Sequence, residues 1–373
     1  MTLSIAEIIS EVSSILGASF RLPTYPPLRG GSHGVYVIEP EDGYNGKNRC
    51  CLRIPLDADA ASASTKGTAI LKIVKEKLPV LPIPAVIFQS EHYTVMEYLN
   101  GEVLKSWNTQ SLTKERRRVL LDDLAALLFS LWTFGGQAQV TQGTEHMPTY
   151  REYLQNEVDR GLRRTLNGTS SWGHPMYYLY QRVKIDSLVP RPENAPIVAT
   201  GIKHGDLNAW NVIVDKKGLS GVVDWDTARF VPAPAAIQHP LFIADIPGWR
   251  NDNVPGGMTF EEDRAYLEHA IGKLDTNSAP GSGSNSQTSG RIKHLLQTSF
   301  ERQFFELSLH NWRINDEYIK RRLRFEDMKT NRNAALQQLD DFLSADESMR
   351  TLPRVIEVQN RLRNDVNLFE PFV

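Results

Sequence analysis

The stretch HGDLNAWNVIVDKKGLSGVVDWD, residues 204–226, spaces oxygen-bearing side chains in a way that suits one chemistry. Asp206 is followed by Asn211 five places on, and by Asp224 thirteen places after that. Transfer of a phosphoryl group needs such a set. The charge lies on phosphate oxygens and is met by Mg²⁺, which prefers oxygen ligands, so a carboxylate and a side-chain amide suit it. A second carboxylate must orient the attacking hydroxyl and take its proton. Asp206 is therefore read as the hydroxyl-orienting base, assisted by Asn208. Asn211, before the apolar run NVIV, and Asp224, after SGVV, are expected to meet across a short hairpin and hold Mg²⁺. His204 is counted with the catalytic loop, as a hydrogen-bonding residue beneath it. Asp226 is left with two readings, a second metal ligand or a surface acid. Trp210 and Trp225 are expected to pack.

A second motif lies far upstream. In RGGSHGVYVIE, residues 29–39, the run Gly30-Gly31-Ser32-His33-Gly34 also fits the G-x-S-x-G turn that presents a hydrolase's serine. That turn needs a buried strand before it and a helix after it. Here TYPPLR precedes, with prolines that a central strand rejects, and the strand-like VYVIE follows. A glycine turn between two strands is the reading that survives.

Several elements must position these residues. An N-terminal helix is expected from Ile5, Ile8, Ile9, Val12, Ile15 and Leu16. Strands follow at VYVIE and RCCLRIP, with Asn45-Gly46 as a hairpin signal between them. A helix from about 59 to 77 and two strands, PIPAVIFQ and HYTVMEYL, complete a small antiparallel sheet carrying one helix. Beyond Gly101 the chain reads helical. Leu120, Leu124, Leu127, Leu128 and Leu131 form a core stripe after a cap at Ser111 or Thr113. Further helices are expected at 150–166 and 259–274, and residues 276–290 form a Gly/Ser-rich insertion. Glu152, Glu157 and Asp159 read as a solvated face.

Composition excludes several classes. With 373 residues, two lobes are expected rather than one core. A formal net charge of −2 argues against nucleic-acid binding. Cys50 and Cys51 are the two cysteines, adjacent on an expected strand, so they point to opposite faces and form neither a disulfide nor a metal site. No run of 18 apolar residues predicts a membrane span. Glu7 and Glu11 interrupt the first apolar run, so no secretory signal is expected and the protein is placed in the cytoplasm.

The pattern parallels the protein-kinase motifs H-R-D-x-x-x-x-N and D-F-G, here H-G-D and D-W-D. Together with GGSHGVYV, CLRIP, GVVDWDTA and FEEDRAYLEHAI, it resembles the aminoglycoside phosphotransferase and choline-kinase-like superfamily, especially its fungal phosphotransferase family proteins. The resemblance covers about Pro27 to Ile271. It implies an α+β, protein-kinase-like two-lobed fold. Residues 1–100 would form a small antiparallel-sheet N-lobe, and residues 101–373 a larger, mainly helical C-lobe with the catalytic loop, metal site and acceptor pocket. It implies ATP or GTP with Mg²⁺, and transfer of the γ-phosphate to a hydroxyl of a small molecule. Gly30, Gly31, Ser32 and Gly34 would cover the phosphates, and Met96, Glu97 and Tyr98 would form the hinge whose backbone meets the purine. Arg53 stands where the family's strand lysine meets the phosphates. It stays charged, but its fork differs from an ammonium. Gly67 falls where the lysine's glutamate partner belongs on the helix, so Arg53 is left with an acid of the C-lobe or with none. The alternative reading is a pseudokinase-like module that binds nucleotide, metabolite or a partner without phosphoryl transfer. Nucleotidyl transfer on the same fold is a third, told apart by product mass.

Overall fold

The structure is a computed structural model that describes residues 4–23, 28–29, 31–41, 49–107, 112–138, 147–190, 199–249, 259–277, 290–364 and 368–370. Gly30, the Asn45-Gly46 signal, Ser111 and most of the 276–290 stretch lie outside the described residues. The chain forms two compact units, residues 1–127 with 204–229, and residues 128–203 with 230–373.

The first unit opens with α1 (Ile5–Leu16). Ser4 and Glu7 form a reciprocal capping box at its start, and Gly17 ends it in the left-handed conformation, φ +60°. The sheet strands are β1 (Phe20–Arg21), β2 (Leu28–Arg29), β3 (His33–Pro40), β4 (Cys50–Pro55), β5 (Val86–Gln89) and β6 (Thr94–Glu97). They pair antiparallel in the order β1-β3-β4-β6-β5, with β2 also on β3. Ile8 and Val12 of α1 bury against Ile38, Leu52 and Val95, each worth roughly 2 kcal/mol of transfer energy. Both cysteines are free thiols, Cys50 buried and Cys51 half-buried.

Helix α2 (Ala58–Lys77) starts where the Asp57 carboxylate accepts from the Ala60 N–H, and Lys75 and Lys77 favour its C-terminal end. The unit also holds β7 (Glu102–Val103), the first half of α3 (Lys114–Ala138), and the hairpin formed after β8 (Thr200–Lys203) by β9 (Val212–Val214) and β10 (Leu219–Val222). These last strands pair in the order β10-β9-β7. Helix α3 starts with Thr113 Oγ1 accepting from the Arg116 N–H at 3.2 Å. Its Leu120, Leu121 and Leu124 are fully buried.

The second unit is mostly helical. Strand β8 pairs with β11 (Arg229–Pro232). Around it stand α4 (Tyr150–Leu166), α5 (Pro175–Leu188), α6 (Ala233–Ala236), α7 (Glu261–Asn277), α8 (Arg291–Gln297), α9 (Ser299–Ser308), α10 (Trp312–Arg322), α11 (Phe325–Thr330), α12 (Arg332–Ala345) and α13 (Pro353–Asn364). The acids of α4 are not one solvated face. Glu157 is buried against Arg160 and His310, and Asp159 holds the buried Arg182 at 2.7 Å. Glu152 is exposed but closes a capping box with Thr149. The helix is covered by neighbours on that side, which helical spacing alone does not reveal.

Candidate active site

Every described residue that the sequence singles out for chemistry lies in the first unit. The candidate segment is built on the β9–β10 hairpin. Its turn is closed by Asp215, whose Oδ1 accepts from the N–H groups of Lys217 and Gly218. Arg116 donates to the turn's carbonyls at Asp215, Lys216 and Gly218, and Asp123 accepts from the Leu219 N–H at 2.9 Å. Val212 lies opposite Val222, and the Val223 N–H donates to the Asn211 carbonyl at 2.9 Å. Residues 211 and 224, which flank the hairpin, are thereby brought to the same end of it.

The loop before the hairpin is pinned from beneath by His204, 5% exposed. Its Nδ1 accepts from the Asp206 N–H at 3.4 Å, and its Nε2 lies 3.0 Å from the Val223 carbonyl. An accepting Nδ1 places the proton on Nε2, where it donates to Val223. Burial pushes the imidazole down to about 4, against the opposing pull of the Val223 carbonyl and Asp226, so the ring is neutral at pH 7. Gly205 has φ +87°, and a Cβ there would stand 2.6 Å from the Thr227 carbonyl, so this position requires glycine. Trp225 is buried against the His204 ring.

Asp206 is held through both carboxylate oxygens. Asn208 Nδ2 donates to Oδ1 at 2.8 Å, and Asn211 Nδ2 donates to Oδ2 at 3.2 Å and to the Asp206 carbonyl at 2.8 Å. Asn208 Oδ1 accepts in turn from the Trp210 N–H at 2.8 Å. Burial raises the Asp206 carboxyl above its usual range and the charge of Asp224 adds to this, while the two amides oppose it. Trp210 does not pack: it is 62% exposed on the 3-10 turn Ala209–Asn211.

Asp224 has left-handed backbone, φ +62°, a conformation that aspartate tolerates better than most residues. Its side chain is 45% exposed. Its own partial burial raises its carboxyl, Arg53 opposes this, and Asp226 adds to it. Asp226 is not a surface acid; its side chain is 13% exposed and meets Arg53 with both oxygens. Arg53 Nη1 donates to Oδ1 at 3.0 Å and Nη2 to Oδ2 at 2.9 Å, while Nη2 also reaches Asp224 Oδ1 at 3.2 Å. Arg53 thus does have an acidic partner.

Sequence reasoning quoted His33 without giving it a role. It is 3% exposed, its Nδ1 lies 3.3 Å from Asp226 Oδ2 and 3.4 Å from Arg53 Nη2, and burial, seconded by Arg53, lowers its pKa. A histidine inside a glycine turn was the available signal. Of the turn itself, β2 and β3 are its two strands, with Leu28 opposite Val35 and Arg29 opposite Gly34. Gly31 has open space about it, and the Ser32 carbonyl accepts from the Leu56 N–H at 3.0 Å. Met96 and Glu97 end β6, and Glu97 exchanges hydrogen bonds with the Ala85 backbone. Tyr98 follows, with the Arg49 guanidinium 4.4 Å over its ring.

The donor set suits Mg²⁺. The charge of Asp224 raises the Asp206 carboxyl and that of Asp226 raises Asp224, a repulsion that a dication would relieve, and the Asn211 N–H group is spent on Asp206, which leaves its amide oxygen as the donor. Among the described residues, no three His, Cys, Asp or Glu side chains converge as a cage. The candidate set is of another kind, carboxylates completed by an amide.

The model of the phosphotransferase enzyme family, APH, matches residues 24–233. The chain belongs to this family. Solved structures agree on its fold, which is α+β and protein-kinase-like. The ADP-bound aminoglycoside phosphotransferase APH(2'')-Ib is 14% identical with a TM-score of 0.55, over 93% of this phosphotransferase-family chain and 99% of its own. APH(2")-IIa in complex with gentamicin is 14% identical, TM-score 0.52, over 94% and 99%. Choline kinase from Cryptosporidium parvum Iowa II is 12% identical, TM-score 0.54, over 92% and 94%. No curated protein matches the chain. No described helix is long and apolar enough to cross a membrane.

Proposed function

We propose that this phosphotransferase-family protein moves the γ-phosphate of ATP or GTP to a hydroxyl of a small molecule, with Mg²⁺. The observation that carries the reading is Asp206, a carboxylate oriented on both oxygens by amides, with a pKa that burial raises above the usual carboxylate range. A base so placed accepts an acceptor hydroxyl's hydrogen bond. As the acceptor O–P bond forms in line, the bond from the γ-phosphorus to the bridging oxygen breaks and the nucleoside diphosphate leaves. The acceptor proton passes to Asp206 and then to solvent. Asn208 and Asn211 keep the carboxylate from turning away. Arg53, with a permanent charge, meets the phosphates under the turn of Gly30, Gly31, Ser32 and Gly34, and the backbone of Met96, Glu97 and Tyr98 meets the purine. Asn211 and Asp224 would hold Mg²⁺, which when bound neutralises charge on the phosphate oxygens. Two of the structures of similar fold are named for bound ADP or ATP.

Calorimetric titration with ATP and GTP, with and without Mg²⁺, tests this. Binding that needs Mg²⁺ and is lost in Asp224→Asn is the expected result. Absence of binding at millimolar nucleotide overturns it and favours a binding module without phosphoryl transfer, the reading that the missing helix acid at Gly67 supports. Product mass separates phosphoryl from nucleotidyl transfer.

A further inference from the structure

A collision explains why the helix acid is missing. A Cβ built on Gly67 of α2 would stand 2.2 Å from the Trp225 carbonyl oxygen and 2.8 Å from the Asp226 Cα. These are backbone atoms and cannot swing aside. Any side chain at position 67, a glutamate included, would displace the D-W-D segment from the helix. That same segment delivers Asp226 to Arg53. The two side chains are 12% and 13% exposed and meet through two parallel hydrogen bonds, the strongest geometry open to such a pair.

We propose that Asp226 is the positioning residue for Arg53, taking the part of the absent helix acid, and that Gly67 is the steric condition for it. The inference rests on the phosphotransferase reading for what Arg53 is positioned to do. Arginine is needed because its fork reaches both oxygens of Asp226 while Nη2 also touches Asp224 at 3.2 Å; a lysine ammonium is a point charge without that geometry. His33 Nδ1, 3.3 Å from Asp226 Oδ2, bounds the pair on the side of the glycine turn. The labour divides accordingly. Asp226 spends both oxygens on Arg53, and the more exposed Asp224 meets Arg53 through Oδ1 alone. Arg53, Gly67 and Asp226 are one solution in three parts, and no single reversion toward lysine or glutamate restores the other arrangement.

Nucleotide affinity across a Mg²⁺ titration tests this in wild type, Arg53→Ala, Asp226→Asn and the double variant. Asp226→Asn, which keeps the shape, should weaken ATP binding about tenfold without moving the Mg²⁺ concentration of half-maximal binding. In the Arg53→Ala background it should add less than about twofold, as expected of directly coupled residues. Gly67→Ala should weaken binding to a similar degree, and Asp226→Glu should recover part of the loss. Multiplying losses, or a shifted Mg²⁺ midpoint as for a metal ligand, would overturn the assignment. If the wild type binds no nucleotide, the functional reading fails separately. The same four chains, melted without ligand, then decide the pairing: losses that do not add support it, and losses that add overturn it.

Discussion

Two charge clusters, one in each unit, use the same kinds of side chain and balance in opposite ways. In the second unit a single carboxylate, Glu306, is surrounded by donors. Lys203 Nζ lies at 2.6 Å, Gln238 Nε2 at 2.9 Å, the Tyr150 hydroxyl at 3.0 Å and the Tyr153 hydroxyl at 3.4 Å. Glu306 is 3% exposed, and its charge together with burial holds the Tyr150 phenol well above its usual range. In the first unit the ratio is reversed. Asp224 and Asp226 share the guanidinium of Arg53, Asp206 has amides, and Asp224 remains open to solvent. A cluster with every oxygen satisfied holds a fold together. One with carboxylates in excess and an exposed oxygen has capacity left for a cation. The difference separates a structural staple from a candidate site without reference to any motif.

The comparison can be broken at either cluster. The largest effect is expected at the open one. Asp206→Asn should lower nucleotide turnover by about 10²–10⁴-fold, the scale of a positioned base, with nucleotide affinity kept. Steady-state kinetics and calorimetry on one preparation check this, and wild-type turnover removes Asp206 from the chemistry. At the closed cluster, Glu306→Ala leaves the half-buried Lys203 without its carboxylate and two buried tyrosines without their acceptor, and should cost about 3–5 kcal/mol in urea unfolding. The folded fraction should bind nucleotide as before. A loss below about 1 kcal/mol would mean the cluster is no staple.

A pH titration sharpens the contrast further. The unfolded chain's imidazole at position 204 protonates near its ordinary value, whereas the folded ring resists until about 4. Between those values the unfolded state binds the extra proton, so stability falls as pH falls. Above pH 6.5 both states are neutral and the effect vanishes. The loss from pH 6.5 to 4 should be on the order of 3 kcal/mol for this group. His33 and His239, also lowered chiefly by burial, add with the same sign. Chemical denaturation across this range should show a shallower slope in His204→Gln; an unchanged slope would exclude the histidine as its source. The smallest effect belongs to Trp210→Ala. At 62% exposure, its removal should change stability by no more than about 0.5 kcal/mol, and a larger change in denaturant midpoint would show that the ring packs.

The open cluster was half legible in the sequence. Asp206, Asn211 and Asp224 stand out because phosphoryl transfer, the chemistry proposed for them, would dictate both types and spacing, and a short hairpin keeps that spacing local. The strands VYVIE and RCCLRIP and the helix from about 59 likewise follow from periodicity, and the structure has them at β3, β4 and α2. The partner of Arg53 was not legible, since 173 residues separate the pair and no local pattern joins them. Gly67 appeared only as a missing acid; its meaning lies in a backbone that tertiary packing brings against it. Glu306 was invisible for a related reason. In SFERQFFELS the charged positions of α9 look like a solvated face, and only the surrounding helices bury Arg302 and Glu306.

The two neighbouring cysteines of β4 have a practical consequence. Burial lifts the Cys50 thiol above its usual range and Cys51 up to about 11. The thiolate is the reactive form, so at neutral pH both stay protonated and slow toward maleimides and peroxide. The natural chain is then a quiet background for spectroscopy. A cysteine placed at the exposed Lys217 of the β9–β10 turn would take a dye or spin label selectively, and report on the candidate-site hairpin without first removing either native thiol.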